Sequence, residues 1–322
     1  MNICVVGSTM VDLVTRVPRL PQAGETLAGY SFSLGYGGKG GNQAVTAARL
    51  GAHVTLVTRI GTDVFGDGAL ANYRAAGFDV RYVLRTAQHA TGVATILVDD
   101  AAQNCIAIAP GANAQLSDQD VQGASAAIGA ADVVVCQLEV PVAAAIAAFR
   151  IARAAGVKTI FNPAPAAPVP DEIWQLTDVA TPNETEVELL TGIRADSDEH
   201  AERAARALLE RGARAVILTL GTRGSLVVTP EGTDRIAPVS VEAVDSTGAG
   251  DAYVGTLAVC LGAGFSLVDA ARRANLVAAL SVTRPGTQTS FPDAAQAREF
   301  LGRYNLELLP DPPAQSTAPT VA

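Results

Sequence analysis

The chain of 322 residues is 49% apolar, with a formal net charge of −9 at pH 7, enough apolar material for one large core and a small appended subdomain. The acidic balance, with no Lys/Arg cluster, argues against broad contact with a phosphate backbone, so no nucleic-acid partner is expected. No apolar run reaches the ~18 residues of a membrane span, and the opening MNICVVGS lacks a basic n-region and a cleavage site, so a cytoplasmic protein without membrane contact is expected.

Residues 2–7 read as a buried strand, and similar apolar runs recur at 54–58, 132–138, 157–161, 215–220 and 225–229. Ala-rich helical stretches lie between most of them, at 41–50, 67–76, 142–155 and 200–211. This alternation predicts an α/β fold: a mostly parallel central sheet covered on both faces, with its ligand crevice at the carboxyl ends of the strands. Two regions interrupt it, 12–38 with the turn-forming PRLPQAGE, and 92–109, which reads as a hairpin around 99–103. Together they predict a small β-sheet lid that excludes water from a transferred group, leaving 1–11, 39–91 and 110–305 as the core. From 306 to 322 the sequence is rich in Pro, Ala and Ser without periodicity, and a disordered tail is expected.

Cys4, Cys105, Cys136 and Cys260 are far apart and lie mostly in apolar runs, so they are expected as core residues. His53, His89 and His200 show neither metal-pair nor triad spacing and read as surface residues.

The strongest chemical signal is DSTGAGD at 245–251, followed by the apolar helical run AYVGTLAVCLGAG. Small residues leading into a helix N-terminus aim several backbone N–H groups at one anion, here those of Gly248, Ala249 and Gly250. Asp251, in the first turn beside them, is placed to take a proton from a hydroxyl while the amides hold the charge developing on a phosphoryl group. A carboxylate in that place is also what the helix dipole alone favours. The run GYGGKGGNQ at 35–43 contains GxGxxG literally, but it follows a lid segment and lacks the GK[ST] ending of a P-loop. Its glycines are read as letting a sugar approach the backbone, with Lys39 and Asn42 as donors to sugar hydroxyls.

DSTGAGD resembles the C-terminal signature of the ribokinase (PfkB) family of carbohydrate kinases, GYGGKGGNQ its glycine-rich N-terminal signature, and Asn183-Glu-Thr-Glu186 its Asn-x-x-Glu motif. The three stand in the family's order, and the resemblance runs from residue 2 to residue 300. It implies a ribokinase-like three-layer sandwich with a β-lid, with ATP, Mg2+ and a monovalent cation, usually K+, taking part. By the same resemblance Asp251 is the base, and Met10, Asp12, Gly38, Lys39, Asn42 and Glu139 contact the sugar. Asn183 and Glu186 are implied at the nucleotide phosphates and the water shell of Mg2+. Thr219, Gly221, Thr222 and Gly224 form the implied nucleotide loop, joined by Gly250, with Asn275 near the adenine-ribose end. Asp245, Thr247, Ser281, Arg284, Gly286 and Ser290 match positions that hold the monovalent cation, mainly by carbonyl oxygens, with Asp245 and Ser290 supplying side-chain oxygen. Lids of this family commonly pair, which implies a homodimer through the β-lid.

One departure bears on the sugar. Ribokinases carry Asn where this chain has Met10, in GSTMVD, and that Asn reaches the 2-hydroxyl of ribose. A thioether has no donor, and burying an unpaired hydroxyl against it costs about 1–3 kcal/mol. Deoxyribokinases, a close branch of the family, resemble this chain there and at QLEV, NPAPA and SVTRPGTQTS. The expected reaction is therefore phosphorylation of the 5-hydroxyl of 2-deoxy-D-ribose. D-ribose is the alternative, with Met10 then merely packing beneath the sugar, followed by nucleosides or fructose. A silent sugar-binding regulator would bind sugar and release no ADP.

Overall fold

Residues Asn2–Val6 (β1) are apolar on both faces: Ile3 and Val5 join one buried cluster, Cys4 and Val6 the other. A strand sandwiched between two helical layers requires this pattern. The computed structural model describes residues 1–101 and 103–309. The strands that follow are β2 (Met10–Arg16), β3 (Ser31–Gly37), β4 (His53–Gly61), β5 (Val83–Thr86), β6 (Gly92–Val98), β7 (Asn104–Ala109), β8 (Val133–Cys136), β9 (Lys158–Phe161), β10 (Val179–Ala180), β11 (Ala215–Thr219), β12 (Ser225–Thr229) and β13 (Gly232–Ile236).

Among the described residues nine of these form the central sheet, in the order β13-β12-β11-β10-β9-β8-β1-β4-β5. Every pair from β11 across to β5 is parallel, while β12 and β13 run antiparallel at one edge. Helices Lys39–Arg49, Val64–Ala75, Ala249–Gly262, Leu267–Ser281 and Ala294–Gly302 pack on one face, and Asp118–Gly123, Val142–Ala154, Glu184–Thr191 and Asp198–Glu210 on the other. This is the expected three-layer α/β sandwich. A second sheet, β3-β2-β6-β7, unites the two interrupting regions: β2 pairs with β6 in parallel, and a hairpin partner flanks each. Among the described residues no helix is long and apolar enough to cross a membrane.

The expected strands all form, and β5, β10 and β13 are additions. β10 has two residues and β13 (GTDRI) is a polar edge strand, so neither carries an apolar run. Cys4, Cys136 and Cys260 are buried, but Cys105 is exposed, contrary to expectation. It lies on β7, which is exposed along its whole length because no helical layer covers that edge of the small sheet.

The tail expected from 306 starts later. Leu306 and Leu309 pack on the core and Leu308 is 1% exposed, while Arg273 Nε donates to the Glu307 carbonyl at 2.6 Å. Apolar residues at the start of a Pro-rich segment find a partner that no local pattern announces; residues 310–322 lie outside the described residues. Leu308→Ala is expected to lower unfolding free energy by about 2–4 kcal/mol in urea melts. A loss under about 1 kcal/mol would mean that this segment only rests on the core.

Candidate active site

Parallel strands place their carboxyl ends on one side, and the polar residues that follow them converge there. Ser8 follows β1, Gln137 and Glu139 follow β8, Asn162 follows β9, Thr181 and Asn183 follow β10, and Thr219 ends β11. Two helices begin at the same place, Lys39–Arg49 and Ala249–Gly262. The second starts from Gly248 in the left-handed region (φ 79°). The glycine-rich run does something other than clear room for a sugar at two positions. A Cβ on Gly40 would stand 2.5 Å from Ser8 N, and one on Gly41 2.5 Å from Tyr73 Oη. These glycines admit protein, so that the helix N-terminus can press on the β1–β2 turn. Gly38 (φ 82°) likewise lies against the backbone of Met10.

Asp251 is 6% exposed in the first turn of its helix. Asn42 Nδ2 donates to its Oδ2 at 2.9 Å and Gln43 Nε2 to its Oδ1 at 3.0 Å. Burial pushes its pKa above the ordinary value, opposed by Lys39 and these two donors, and the charge of Glu139 adds to the rise. Ala249, expected among the anion-holding amides, turns its N–H to Ser246 O (3.2 Å), and Ala252 N donates to Gly248 O (2.9 Å). The N–H groups of Gly250 and Asp251 between them have no partner among the described residues. The turn thus closes on Ala249 and leaves the N–H groups of Gly248, Gly250 and Asp251 without a partner among the described residues.

On the lid side, Glu139 Oε2 accepts from Ser8 Oγ (2.5 Å) and from Lys39 N (2.8 Å), leaving Oε1 for another donor. Burial lowers the pKa of the Lys39 ammonium, but Asp251, Glu139 and Glu186 outweigh it and hold it charged. Met10 and Asp12 share one face of β2, paired with Gly37 and Gly35 of β3 and with Gly92 and Ala94 of β6. Met10 is buried, and its Sδ lies 3.7 Å from Asn113 Nδ2. That nitrogen already donates to Thr9 O (2.8 Å) and Pro110 O (3.0 Å), so both its hydrogens are used. Asn42 is expected to serve sugar hydroxyls; here its Nδ2 serves Asp251 and its Oδ1 accepts from Gln288 Nε2 at 3.1 Å.

Asp251 also lines a cavity of about 170 Å³, together with Lys39, Asn183, Glu186, Thr219 and Gly250 among others. Asn183 and Glu186 also form a capping box: Glu186 N donates to Asn183 Oδ1 (2.8 Å), and Asn183 N to Glu186 Oε2 (2.9 Å). Burial raises the Glu186 pKa, against the Asn183 N–H and the charge of Lys39. Gly221, Thr222 and Gly224 form a tight turn after β11, with Leu220 N donating to Gly224 O at 2.8 Å. Asn275 donates to Ala237 O at 2.8 Å; neither it nor the tight turn lines this cavity.

Of the residues matched to a monovalent cation, Thr247 and Gly286 meet at Asp245, whose Oδ1 accepts from Thr247 N and Oδ2 from Gly286 N, both at 2.9 Å. Burial raises the Asp245 pKa, but the bonds from Thr247 and Gly286 outweigh it and hold the carboxyl below the usual range. Among the described residues the carbonyls of Thr247, Ser281, Arg284 and Gly286 accept no hydrogen bond, whereas Ser290 Oγ donates to Thr287 O at 2.9 Å. Unpartnered carbonyls beside an ionised carboxylate are what a hard cation takes.

Residues 1–294 match the pfkB family of carbohydrate kinases. The chain belongs to this family. It is therefore a phosphotransferase that acts on a sugar hydroxyl. Among its relatives, ribokinase of Mus musculus is 43% identical over 295 residues, covering 90% of this chain and 91% of that one. Deoxyribokinase of Salmonella typhi is 38% identical over 302 residues, covering 94% and 99%. The solved structure of Arabidopsis thaliana ribokinase complexed with ribose and ATP superposes with a TM-score of 0.86, at 30% identity, over 93% of this chain and 98% of that one.

Sequence reasoning missed the buried amides around this kinase's carboxylate: Gln43, Gln137, Asn162 and Gln288. Gln43 lies within the glycine-rich motif and Gln288 within SVTRPGTQTS, but nothing local distinguishes an inward amide from a surface one. Asp12 yields a test. Its pKa is pushed from the ordinary 3.8 up to about 6, by burial first and then the charge of Glu139, with Thr287 opposing and Asp251 adding. The folded protein then holds this proton more tightly than the unfolded chain, so ionised Asp12 opposes folding above pH 6, and the opposition fades as pH falls towards 4. Asp12→Asn is expected to raise stability at neutral pH, by up to about 3 kcal/mol, and to lose that advantage near pH 4. Identical melting curves of the two proteins at neutral pH would show that the site holds Asp12 without strain.

Proposed function

We propose that this kinase transfers the γ-phosphoryl group of ATP to the 5-hydroxyl of a pentose, 2-deoxy-D-ribose before D-ribose. One observation carries the reading: Asp251 stands oriented by two donors in the wall of a cavity that Lys39 and Glu186 also line, headed by the N–H groups of Gly250 and Asp251, with the charge of Glu139 close by. A pentose placed under the lid, with hydroxyls on Asp12 and Glu139 Oε1, brings its 5-hydroxyl to the Asp251 carboxylate. Asp251 takes the proton as the hydroxyl attacks the γ-phosphate in line, and the two N–H groups hold the charge that develops. Asn183 and Glu186 are the residues that fit the water shell of Mg2+, which would neutralise phosphate charge. A monovalent cation on the carbonyls of Thr247, Ser281, Arg284 and Gly286 would order the loop that leads into those N–H groups. The relatives named ribokinase and deoxyribokinase support a pentose as acceptor.

The preference for deoxyribose rests on Met10 and on Asn113 behind it. With no hydrogen of the Asn113 amide left over, a 2-hydroxyl against the thioether has no donor, while a methylene suits that surface. Phe32 and Leu34 on β3 are 63% and 45% exposed on the lid face opposite Asp12, which supports pairing of two lids in a homodimer.

Asp251→Asn is expected to lower turnover at least ~100-fold while sugar binding by calorimetry is largely kept; near-normal turnover removes Asp251 as the base. ADP release with each sugar at equal subsaturating concentration should favour 2-deoxy-D-ribose, and Met10→Asn should shift the ratio of kcat/KM towards D-ribose by about 10-fold or more. A native preference for ribose that Met10→Asn leaves unchanged reduces Met10 to packing.

A further inference from the structure

The two donors on Asp251 are amides, and an amide can present either its oxygen or its nitrogen in the same space. What fixes the choice is a second amide behind each. Gln137 Nε2 donates to Gln43 Oε1 at 2.6 Å, which leaves the Gln43 nitrogen to face Asp251 Oδ1 and Asn162 Oδ1, both at 3.0 Å. Asn162 is turned in its own right, because its Nδ2 donates to Thr181 O at 2.9 Å. On the other side Asn72 Nδ2 donates to Gln288 Oε1 (2.9 Å), Gln288 Nε2 to Asn42 Oδ1 (3.1 Å), and Asn42 Nδ2 to Asp251 Oδ2 (2.9 Å). Gln43, Gln137, Asn42 and Gln288 are all buried. Both chains of donors run one way and end on the two oxygens of one carboxylate.

We infer that Gln43 and Gln288 are positioning residues of the phosphoryl transfer, members of two directional amide relays that orient Asp251 and hold it as an acceptor. The inference rests on Asp251 being the base. Reversing any one amide would aim an oxygen at a buried carboxylate or leave a buried donor unpaired, so the relays are rigid as well as directional. Their cost is visible in Gln137 Oε1, a buried atom without a hydrogen-bond partner among the described residues. It lies where Gly7 has no side chain, and a Cβ there would stand 2.0 Å from it. Gly7 is thus the residue that lets Gln137 take the orientation from which the first relay starts.

The charged groups facing Asp251 are Lys39 from its helix, Glu139 after β8, Asp12 on β2 and Glu186 on the Glu184–Thr191 helix. Three of these four are acidic, so the neutral donors act where the charges do not help: they favour the ionised base against burial and the neighbouring carboxylates. Removing a donor should raise the pKa of Asp251 and move the acid limb of kcat/KM for the sugar to higher pH.

The test is the pH dependence of kcat/KM for 2-deoxy-D-ribose or D-ribose, whichever is the better substrate, in Gln43→Met, Gln288→Met and Gln137→Met, each checked by thermal melting. Gln43→Met is expected to lower kcat/KM about 10-fold or more and to raise the acid limb by about one pH unit. Gln288→Met and Gln137→Met, which leave both donors present but unoriented, should move the limb in the same direction by less. If Gln43→Met does not fold, the other two decide. Folded variants whose acid limb stays at the wild-type pH, with activity lost only in proportion to melting temperature, would overturn the relay and make these amides structural. Failure of the base itself reads differently, since Asp251→Asn would then remain active.

Discussion

A carboxylate held almost out of water, at the point where two helix N-termini and five strand ends meet, is the constraint on which the rest of this structure depends. Removing such a charge from water costs several kcal/mol unless opposite charge and hydrogen bonds replace the solvent. The chain is acidic overall, and among the described residues no arginine is hydrogen-bonded to Asp251; Lys39 and two amides supply the replacement. The buried polar residues of the crevice follow from this, because each donor on the carboxylate needs its own orientation fixed, and each orienting amide must itself be accommodated.

Close packing makes the arrangement possible. The Ala249–Gly262 helix approaches the Lys39–Arg49 helix so nearly that a Cβ on Gly255 would stand 2.6 Å from Thr46 Cβ and 2.7 Å from Gln43 O. That approach brings Asn42 and Gln43 within hydrogen-bonding distance of Asp251, one helix serving the other's first turn. Arg49, at the far end of the same helix, donates to the carbonyls of Gln288 (2.5 Å) and Phe291 (2.6 Å). One helix therefore holds the carboxylate with its N-terminal turn and the segment around Gln288 with its C-terminal turn. The glycines Gly40, Gly41 and Gly255 are packing devices.

The small sheet has a different character. It is joined to the core through the strand β2, whose first residue Met10 is buried and whose last, Arg16, is exposed. Its alternation divides labour between faces: Met10 and Asp12 point one way, while Leu13 pairs with Leu34 on the other. Phe32 and Leu34 stay exposed on one face, while on the other burial and the charge of Glu139 hold the Asp12 carboxyl above its ordinary pKa.

Much of this is legible in the sequence. The long apolar strands, the Ala-rich helices and the interrupting lid segments are local patterns, since a strand or an amphipathic helix carries its own period. The motif around Asp251 is legible for the same reason, a turn of small residues before a helix. What only the tertiary structure decided are pairings without local signature. Gln43 reaches Asp251 across 208 positions and Gln288 reaches Asn42 across 246, and an amide's role is set wholly by the partner it meets. The same holds for Asn113 behind Met10, for the engaged N–H of Ala249, for Leu308 on the core and for exposed Cys105. Composition and periodicity report which residues prefer to be buried; which polar group finds which donor is a matter of position in space, and it is the fold that supplies it.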